Sequence, residues 1–296
     1  TDYMAFFYDE EMLKKAGIKA PPTTWDELLQ QSLKIKGAGL SEYPMMLSMA
    51  RESWLIEFLS AMVFSNGGRF TDADGSAVMA DPKRGAHQAM QWVVDAVNKH
   101  KIISPACVET GELNGLKAFG AGNHAFALLS RYRVRTLNDP KQSAIAGRVK
   151  QALMPMGPGG SHATVGWMRF HGMSTQAAAD KTRAANAAKL IEWFGGKAGS
   201  QYQFQKMLFS DLGSGFGVKE LFKDPEVQAN YKKYSDIAMF EKQQQLARGQ
   251  LAIVLAFLPV AWLLRHTAFY RWVVVAGGSL IIAVIGSIWL VERLGG

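Results

Sequence analysis

The sequence contains a single cysteine, Cys107, among its 296 residues. One cysteine cannot form an internal disulfide, and without several converging histidines it cannot complete a Cys/His metal site. The six histidines are scattered along the chain, and each fits a surface or hydrogen-bonded position. We therefore predict no disulfide, no bound metal and no cofactor.

Sequence motifs for catalysis are also missing. The chain has no His-Glu-x-x-His and no Gly-x-Ser-x-Gly motif, and its glycine-rich segments 157–160 and 213–217 do not end in Gly-Lys-Ser/Thr. The segment 72–75 resembles the start of a calcium loop, but Ala77 and Lys83 stand where that loop needs Gly and Glu. No nucleophile, base and orienting group can be assembled, so we predict that the chain is not an enzyme.

The basic charge of the chain is not concentrated in one segment. The formal net charge is +8, which would suit an anionic partner such as nucleic acid or lipid headgroups. The Lys and Arg residues are spread, however, and no run of them is interleaved with aromatic residues. This distribution indicates a solvated surface, and we predict no nucleic-acid partner.

The sequence does contain alternating apolar strands and amphipathic helices. Residues 1–9 form an apolar, aromatic run that is typical of a buried strand. Thr24 and Glu27 have capping-box spacing, which predicts the start of a helix. A second strand is predicted at 125–129 and an Ala-rich helix at 177–194. This alternation predicts an α/β fold.

The composition changes near residue 249. Residues 251–264 are almost all apolar, and residues 272–291 contain no charged side chain. About 20 such residues can span a bilayer core of roughly 30 Å. A buried hairpin of a soluble protein is the alternative, but a soluble helix rarely lacks a polar face over this length. We therefore predict a first domain at 1–248 and a transmembrane helical hairpin at 249–296.

The charges near the hairpin predict its orientation. Arg265 and Arg271 lie in the loop between the two apolar stretches. The positive-inside rule places such a loop in the cytoplasm, which puts the first domain on the periplasmic or extracellular side.

Aromatic and polar side chains cluster in four predicted loops. An aromatic plane can stack on the apolar face of a sugar ring, and carboxylates and guanidinium groups can bind the hydroxyls. Any one of these aromatics also fits a core or surface position, so no single cluster decides the function. The clusters are Asp2-Tyr3, Glu52-Ser53-Trp54, Arg131-Tyr132-Arg133 and Gly166-Trp167-Met168-Arg169.

Several motifs occur in the order found in one known family. Residues 8–17 read Tyr-Asp-Glu-Glu-Met-Leu-Lys-Lys-Ala-Gly, and residues 21–28 read Pro-Pro-Thr-Thr-Trp-Asp-Glu-Leu. Asn-Gly-Gly-Arg-Phe follows at 66–70, and Met-Pro-Met-Gly-Pro at 154–158, with Ala-Phe-Gly-Ala-Gly-Asn-His-Ala-Phe at 118–126 between them. This sequence resembles the extracellular solute-binding proteins of sugar-type ABC importers, which are maltose-binding-protein-like.

The resemblance covers residues 1–246 and implies a type II periplasmic binding protein-like fold, in which two α/β lobes close on a ligand by a hinge motion. The implied ligand is a sugar or polyol, and the implied partner is an ABC permease. The family pattern places the ligand-binding residues near the lobe crossings and on loops that face the cleft. They are Asp2, Tyr3, Trp54, Tyr132, Trp167 and Arg169.

The sequence departs from the family at both ends. The family has further residues before the position of Thr1, so we expect most of the first lobe to be missing. The apolar tail stands in place of the family's last helices, and the segment 269–293 faintly resembles hydrogenase/urease accessory membrane proteins. The alternative interpretation is therefore a small integral membrane accessory or transport protein whose N-terminal part is a chimeric remnant.

Overall fold

A computed structural model describes residues 1–52, 54–168 and 171–249, and a mixed β-sheet is the framework of this part of the chain. The order across the sheet is β2-β3-β1-β5-β6, and β4 also pairs with β1. The predicted α/β class is confirmed. The strands are β1 (Asp2–Asp9), β2 (Met45–Met46), β3 (Phe126–Ser130), β4 (Val149–Ala152), β5 (Thr164–Trp167) and β6 (Ala247–Gly249).

Helices cover both faces of this sheet. Helices α1 to α4 pack on one face, and α5, α6 and α10 to α12 pack on the other. Short 3₁₀ turns connect some of these elements. The helices are α1 (Glu10–Lys15), α2 (Trp25–Gly37), α3 (Leu55–Ser65), α4 (Gly85–Asn98), α5 (Glu112–Gly120), α6 (Val134–Leu137), α7 (Thr175–Ala178), α8 (Lys181–Gly195), α9 (Lys197–Ser200), α10 (Gln203–Leu212), α11 (Pro225–Tyr231) and α12 (Ile237–Leu246).

Strand β1 is apolar along its length because both of its faces are buried. Met4 and Phe6 belong to the core cluster on one side of the sheet, and Tyr3, Ala5 and Phe7 belong to the cluster on the other side. A strand that is covered on both faces gives a continuous apolar run instead of an alternating one. The buried strand predicted at 1–9 is confirmed.

Two helices that were predicted from local patterns differ in their details. Thr24 accepts a hydrogen bond from the Glu27 N–H at 3.2 Å and so begins α2, and the Glu27 carboxylate also accepts from the N–H of Thr23 at 2.6 Å. The helix predicted at 177–194 is confirmed in α8, but its predicted start is wrong, because Thr175–Ala178 form the separate helix α7. The side chain of Asp180 accepts from the Arg183 N–H at 2.8 Å, which caps α8 and makes Asp180 its boundary.

Helix α8 is unusual because it buries none of its 15 residues. Leu190 is 55% exposed and Trp193 is 44% exposed, and Met207 of the nearby α10 is 46% exposed. A helix that packs on a core normally buries one apolar face. This face of α8 and α10, which we call the α8 face, is therefore an apolar surface that the described residues leave uncovered.

The predicted transmembrane hairpin, apart from Gly249, lies outside the described residues. Within residues 1–52, 54–168 and 171–249, no helix is both long enough and apolar enough to cross a bilayer. Residues 1–249 form one compact unit.

We expect the α8 face to promote self-association, because large exposed apolar patches tend to bind one another. Replacing Leu190 and Met207 by Gln removes apolar surface at exposed helix positions and keeps helix propensity similar. The double variant should sediment with less oligomer than the wild type, with an unchanged melting temperature. Leu33→Gln is the control, because Leu33 is also exposed but lies on α2. Equal association of the double variant and the wild type would contradict this expectation.

Candidate ligand-binding site

Trp54 and Trp167 are distant in sequence, but their rings are in contact. Trp54 lies in the turn before α3, and Trp167 is the last residue of β5. The ring centroids are 5.6 Å apart and the ring planes meet at 68°, which is an edge-to-face arrangement. Both side chains are half-buried, so each keeps an accessible surface. Two of the predicted ligand-binding residues thus form one aromatic patch at the end of β5.

The carboxylate of Asp2 is bound by the buried guanidinium group of Arg131. Arg131 Nε donates to Oδ1 at 2.8 Å, and Nη2 donates to Oδ2 at 3.1 Å. The N–H groups of Tyr3 and Gly215 donate to the same carboxylate, each at 3.1 Å. Asp2 therefore ties the first residues of β1 to the end of β3 and to the loop at 213–217.

Arg131 keeps its charge although its side chain has no exposed surface. Burial acts to lower its pKa, but the charge of Asp2, with help from Tyr231 and Tyr3, raises the pKa above its ordinary value. The guanidinium carbon also lies 4.3 Å from the ring centroid of Phe240, where a cation is attracted to the aromatic face. Arg131 is thus the charged centre of this end of the sheet.

Tyr3 points into the hydrophobic core. It is 1% exposed, and its ring centroid lies 5.9 Å from that of Phe240. Burial is the main cause that raises the pKa of Tyr3 well above its ordinary value. The structure therefore places this predicted ligand-binding residue behind the surface, next to Asp2 but without access to solvent.

A second ion pair connects Tyr132 to the segment that carries Trp54. The guanidinium of Arg133 lies 4.8 Å from the Tyr132 ring centroid, and its Nε and Nη2 each donate to the Glu112 carboxylate at 2.7 Å. The N–H of Glu112 donates to Glu52 Oε1 at 2.6 Å. Glu52 is two residues before Trp54, so this chain of contacts joins the two predicted aromatic positions.

A cavity of about 810 Å³ lies beside these residues. Asp2, Tyr132 and Trp167 are part of its lining. Trp54 is not in the lining, but its ring contacts the ring of Trp167. Burial raises the pKa of Tyr132, so its hydroxyl is protonated at neutral pH and able to donate. The lining also includes polar side chains, namely Thr136, Asp139, Gln142, Asp211 and Ser214.

The last predicted residue, Arg169, lies outside the described residues. Among the described residues, the structure brings Asp2, Trp54, Tyr132 and Trp167 to one region and leaves Tyr3 in the core. No group of three His, Cys, Asp or Glu side chains in the described part of the chain is arranged to hold a metal ion.

The sequence interpretation missed the loop at 213–217. Gly213 has a φ of +74°, and a Cβ at Gly215 would lie 2.1 Å from the Thr1 carbonyl oxygen. Only glycine permits this close approach, which lets the Gly215 N–H reach Asp2. The available sequence signal is the spacing of glycines at 213, 215 and 217, which does not match a phosphate-binding loop.

Known proteins share this architecture. Residues 1–201 match the family model described as bacterial extracellular solute-binding protein. A probable ABC transporter-binding protein of Deinococcus radiodurans is 30% identical over 200 residues, which are 64% of this chain and 46% of that relative. The chain therefore spans less than half the length of this curated relative.

Solved structures give the same result. The maltose-bound MalE3 of T. maritima is 25% identical and superposes with a TM-score of 0.69 over 84% of this chain and 60% of its own. An ABC transporter solute-binding protein from Agrobacterium radiobacter in complex with ribitol is 19% identical, with a TM-score of 0.63 over 82% of this chain and 57% of its own. The predicted type II periplasmic binding protein-like fold is confirmed for the described residues.

We expect Asp2→Asn to destabilise the fold by about 3–5 kcal/mol, because it leaves the buried charge of Arg131 without its partner. The free energy of unfolding from urea titrations measures this loss. Glu10→Gln is the control, since it breaks an exposed pair with Lys14 at 3.4 Å and should cost less than about 0.5 kcal/mol. Equal stabilities of the two variants would show that the Asp2–Arg131 pair has no special role.

Proposed function

The chain belongs to the family of bacterial extracellular solute-binding proteins, and from this membership we propose that it binds a sugar or polyol and delivers it to an ABC permease. The ligand site is the cavity beside Trp167. The chain acts on the periplasmic or extracellular side of the membrane, in keeping with its family. It performs no catalysis on the ligand.

The observation that carries this proposal is the aromatic patch of Trp54 and Trp167 at the border of a polar cavity. A sugar or polyol has apolar C–H surfaces that pack on an aromatic ring and hydroxyls that need directional partners. The cavity offers both, because carboxylates, an amide and hydroxyls line it next to Trp167. The maltose and ribitol complexes of the similar structures support this ligand class.

The six predicted residues have different roles in this proposal. Trp167 and Trp54 form the stacking surface, and Tyr132 donates from its protonated hydroxyl. Asp2 shapes the cavity wall while Arg131 holds its carboxylate, and Tyr3 supports this wall from the core. Arg169 remains a proposed ligand-binding residue.

The chain covers only part of the length of its relatives. The chain covers 60% of the T. maritima protein, and the α8 face is uncovered in the described residues. We propose that the cavity is one wall of a ligand-binding cleft. Anchoring by residues 249–296 remains a prediction.

The alternative is a membrane accessory protein that is defined by the C-terminal hairpin. The family match over residues 1–201 favours the solute-binding interpretation. We therefore treat the N-terminal domain as the functional part of the chain.

We expect a sugar or polyol to raise the melting temperature of the full chain, because a ligand that binds only the folded state stabilises it. At a concentration of about 100 times Kd, the stabilisation is about 2.7 kcal/mol. The measurement is a thermal melt against a panel that includes maltose and ribitol. Trp167→Ala should weaken binding about tenfold through the loss of stacking.

Trp92→Ala is the matched control. Trp92 pairs with Trp25 at a centroid distance of 5.1 Å and does not line the cavity. This variant should lose stability but keep the wild-type Kd for the ligand. A panel without any stabilising compound, in a chain that melts cooperatively, would refute the proposed function.

A further inference from the structure

Three arginines occupy alternate positions after β3, and within the described part of the chain two of them form ion pairs with a carboxylate. Arg131 is paired with Asp2, and Nε and Nη2 of Arg133 donate to the Glu112 carboxylate. Arg135, in α6, forms no ion pair within 4.0 Å in the described part of the chain. Among the described residues, Arg135 therefore has no carboxylate in direct contact, unlike the other two arginines.

One nitrogen of Arg135 is also left without a hydrogen-bond acceptor. Its Nη1 atom is buried and has no partner among the described residues, as is also true of Arg131 Nη1 and Arg148 Nε, but of these three side chains only that of Arg135 lines the 810 Å³ cavity. Buried donors are almost always paired in folded proteins, so an unpaired one needs an explanation. A ligand in the cavity that carries a hydrogen-bond acceptor explains this unpaired donor.

The carboxylate nearest to Arg135 in sequence, that of Asp139, restricts the charge of this ligand. Asp139 lines the same cavity four residues after Arg135. Hydrogen bonds from the Gln142 side chain and the Lys141 N–H, together with the charge of Arg135, lower the pKa of Asp139, so it is an ionised acceptor at neutral pH. A ligand carboxylate would be repelled by Asp139 and by Asp211, which also lines the cavity. Neutral hydroxyls are compatible with both, because a hydroxyl accepts and donates.

We propose that Arg135 is a specificity-determining residue, which donates from Nη1 to a hydroxyl oxygen of a neutral sugar or polyol while Asp139 accepts from a neighbouring hydroxyl. This assignment rests on the proposed function. It makes neutral hydroxylated compounds, rather than sugar acids, the ligands of the cavity.

The test compares the wild-type full chain with Arg135→Met by calorimetric titration of maltose, ribitol and glucuronate, and by thermal melts without ligand. Arg135→Met should weaken binding of the neutral ligand about tenfold, as expected for one lost charged hydrogen bond. Its melting temperature without ligand should equal or exceed that of the wild type, because the variant removes an unpaired buried donor.

Arg148→Met is the matched control. Arg148 lies outside the cavity lining and binds Asp9 at 2.7 Å and Glu11 at 3.0 Å. This variant should lower the melting temperature and leave the Kd of the neutral ligand unchanged. The pair of variants separates a binding role from a structural one.

Three results would overturn the assignment while leaving the proposed function intact. They are an unchanged Kd in Arg135→Met, a lower melting temperature of this variant without ligand, and tighter wild-type binding of glucuronate than of the neutral compounds. If the wild type binds none of the panel, the proposed function fails and the assignment of Arg135 fails with it.

Discussion

The central position of β1 is the constraint on which the other elements depend. This strand pairs with β3 along one edge and with β4 and β5 along the other, and its two faces contact the two core clusters. The end of β3 leads directly to Arg131 and Tyr132, and β5 ends at Trp167. The hydrogen-bond register of β1 therefore sets the positions of the side chains that surround the cavity.

The ion pair at the start of β1 joins this framework to the site. Asp2 pairs with Trp167 in the β1–β5 ladder, and its side chain binds Arg131 and the Gly215 N–H. Replacing a buried ion pair with apolar residues is often neutral or stabilising, so stability alone does not require it. Its directional bonds specify one arrangement of three distant segments, and the cavity wall depends on that arrangement.

The features that could be predicted from the sequence are those that depend on residues close together in the chain. The apolar run of β1 and the Thr24 cap of α2 depend on neighbouring residues, so they were identified. The Asp2–Arg131 bond joins residues 129 positions apart, and no local pattern indicates it. The family pattern placed both Asp2 and Tyr3 at the lobe crossing, but it does not show burial, and the Tyr3 side chain lies in the core. The sequence does not distinguish the roles of Arg131, Arg133 and Arg135, because these roles depend on the burial and the hydrogen-bond partners of each side chain.

The connectivity of β1 also has a consequence for how the protein is made. β1 is translated before its partners β3 and β5, which begin at Phe126 and Thr164. At about 5–20 residues per second, the ribosome needs on the order of ten seconds to supply these partners. During this time the apolar side chains of β1 have no sheet to join, so the nascent chain exposes an aggregation-prone segment. Until β3 emerges, β1 can pack only against elements that follow it closely in sequence, such as α1 and α2.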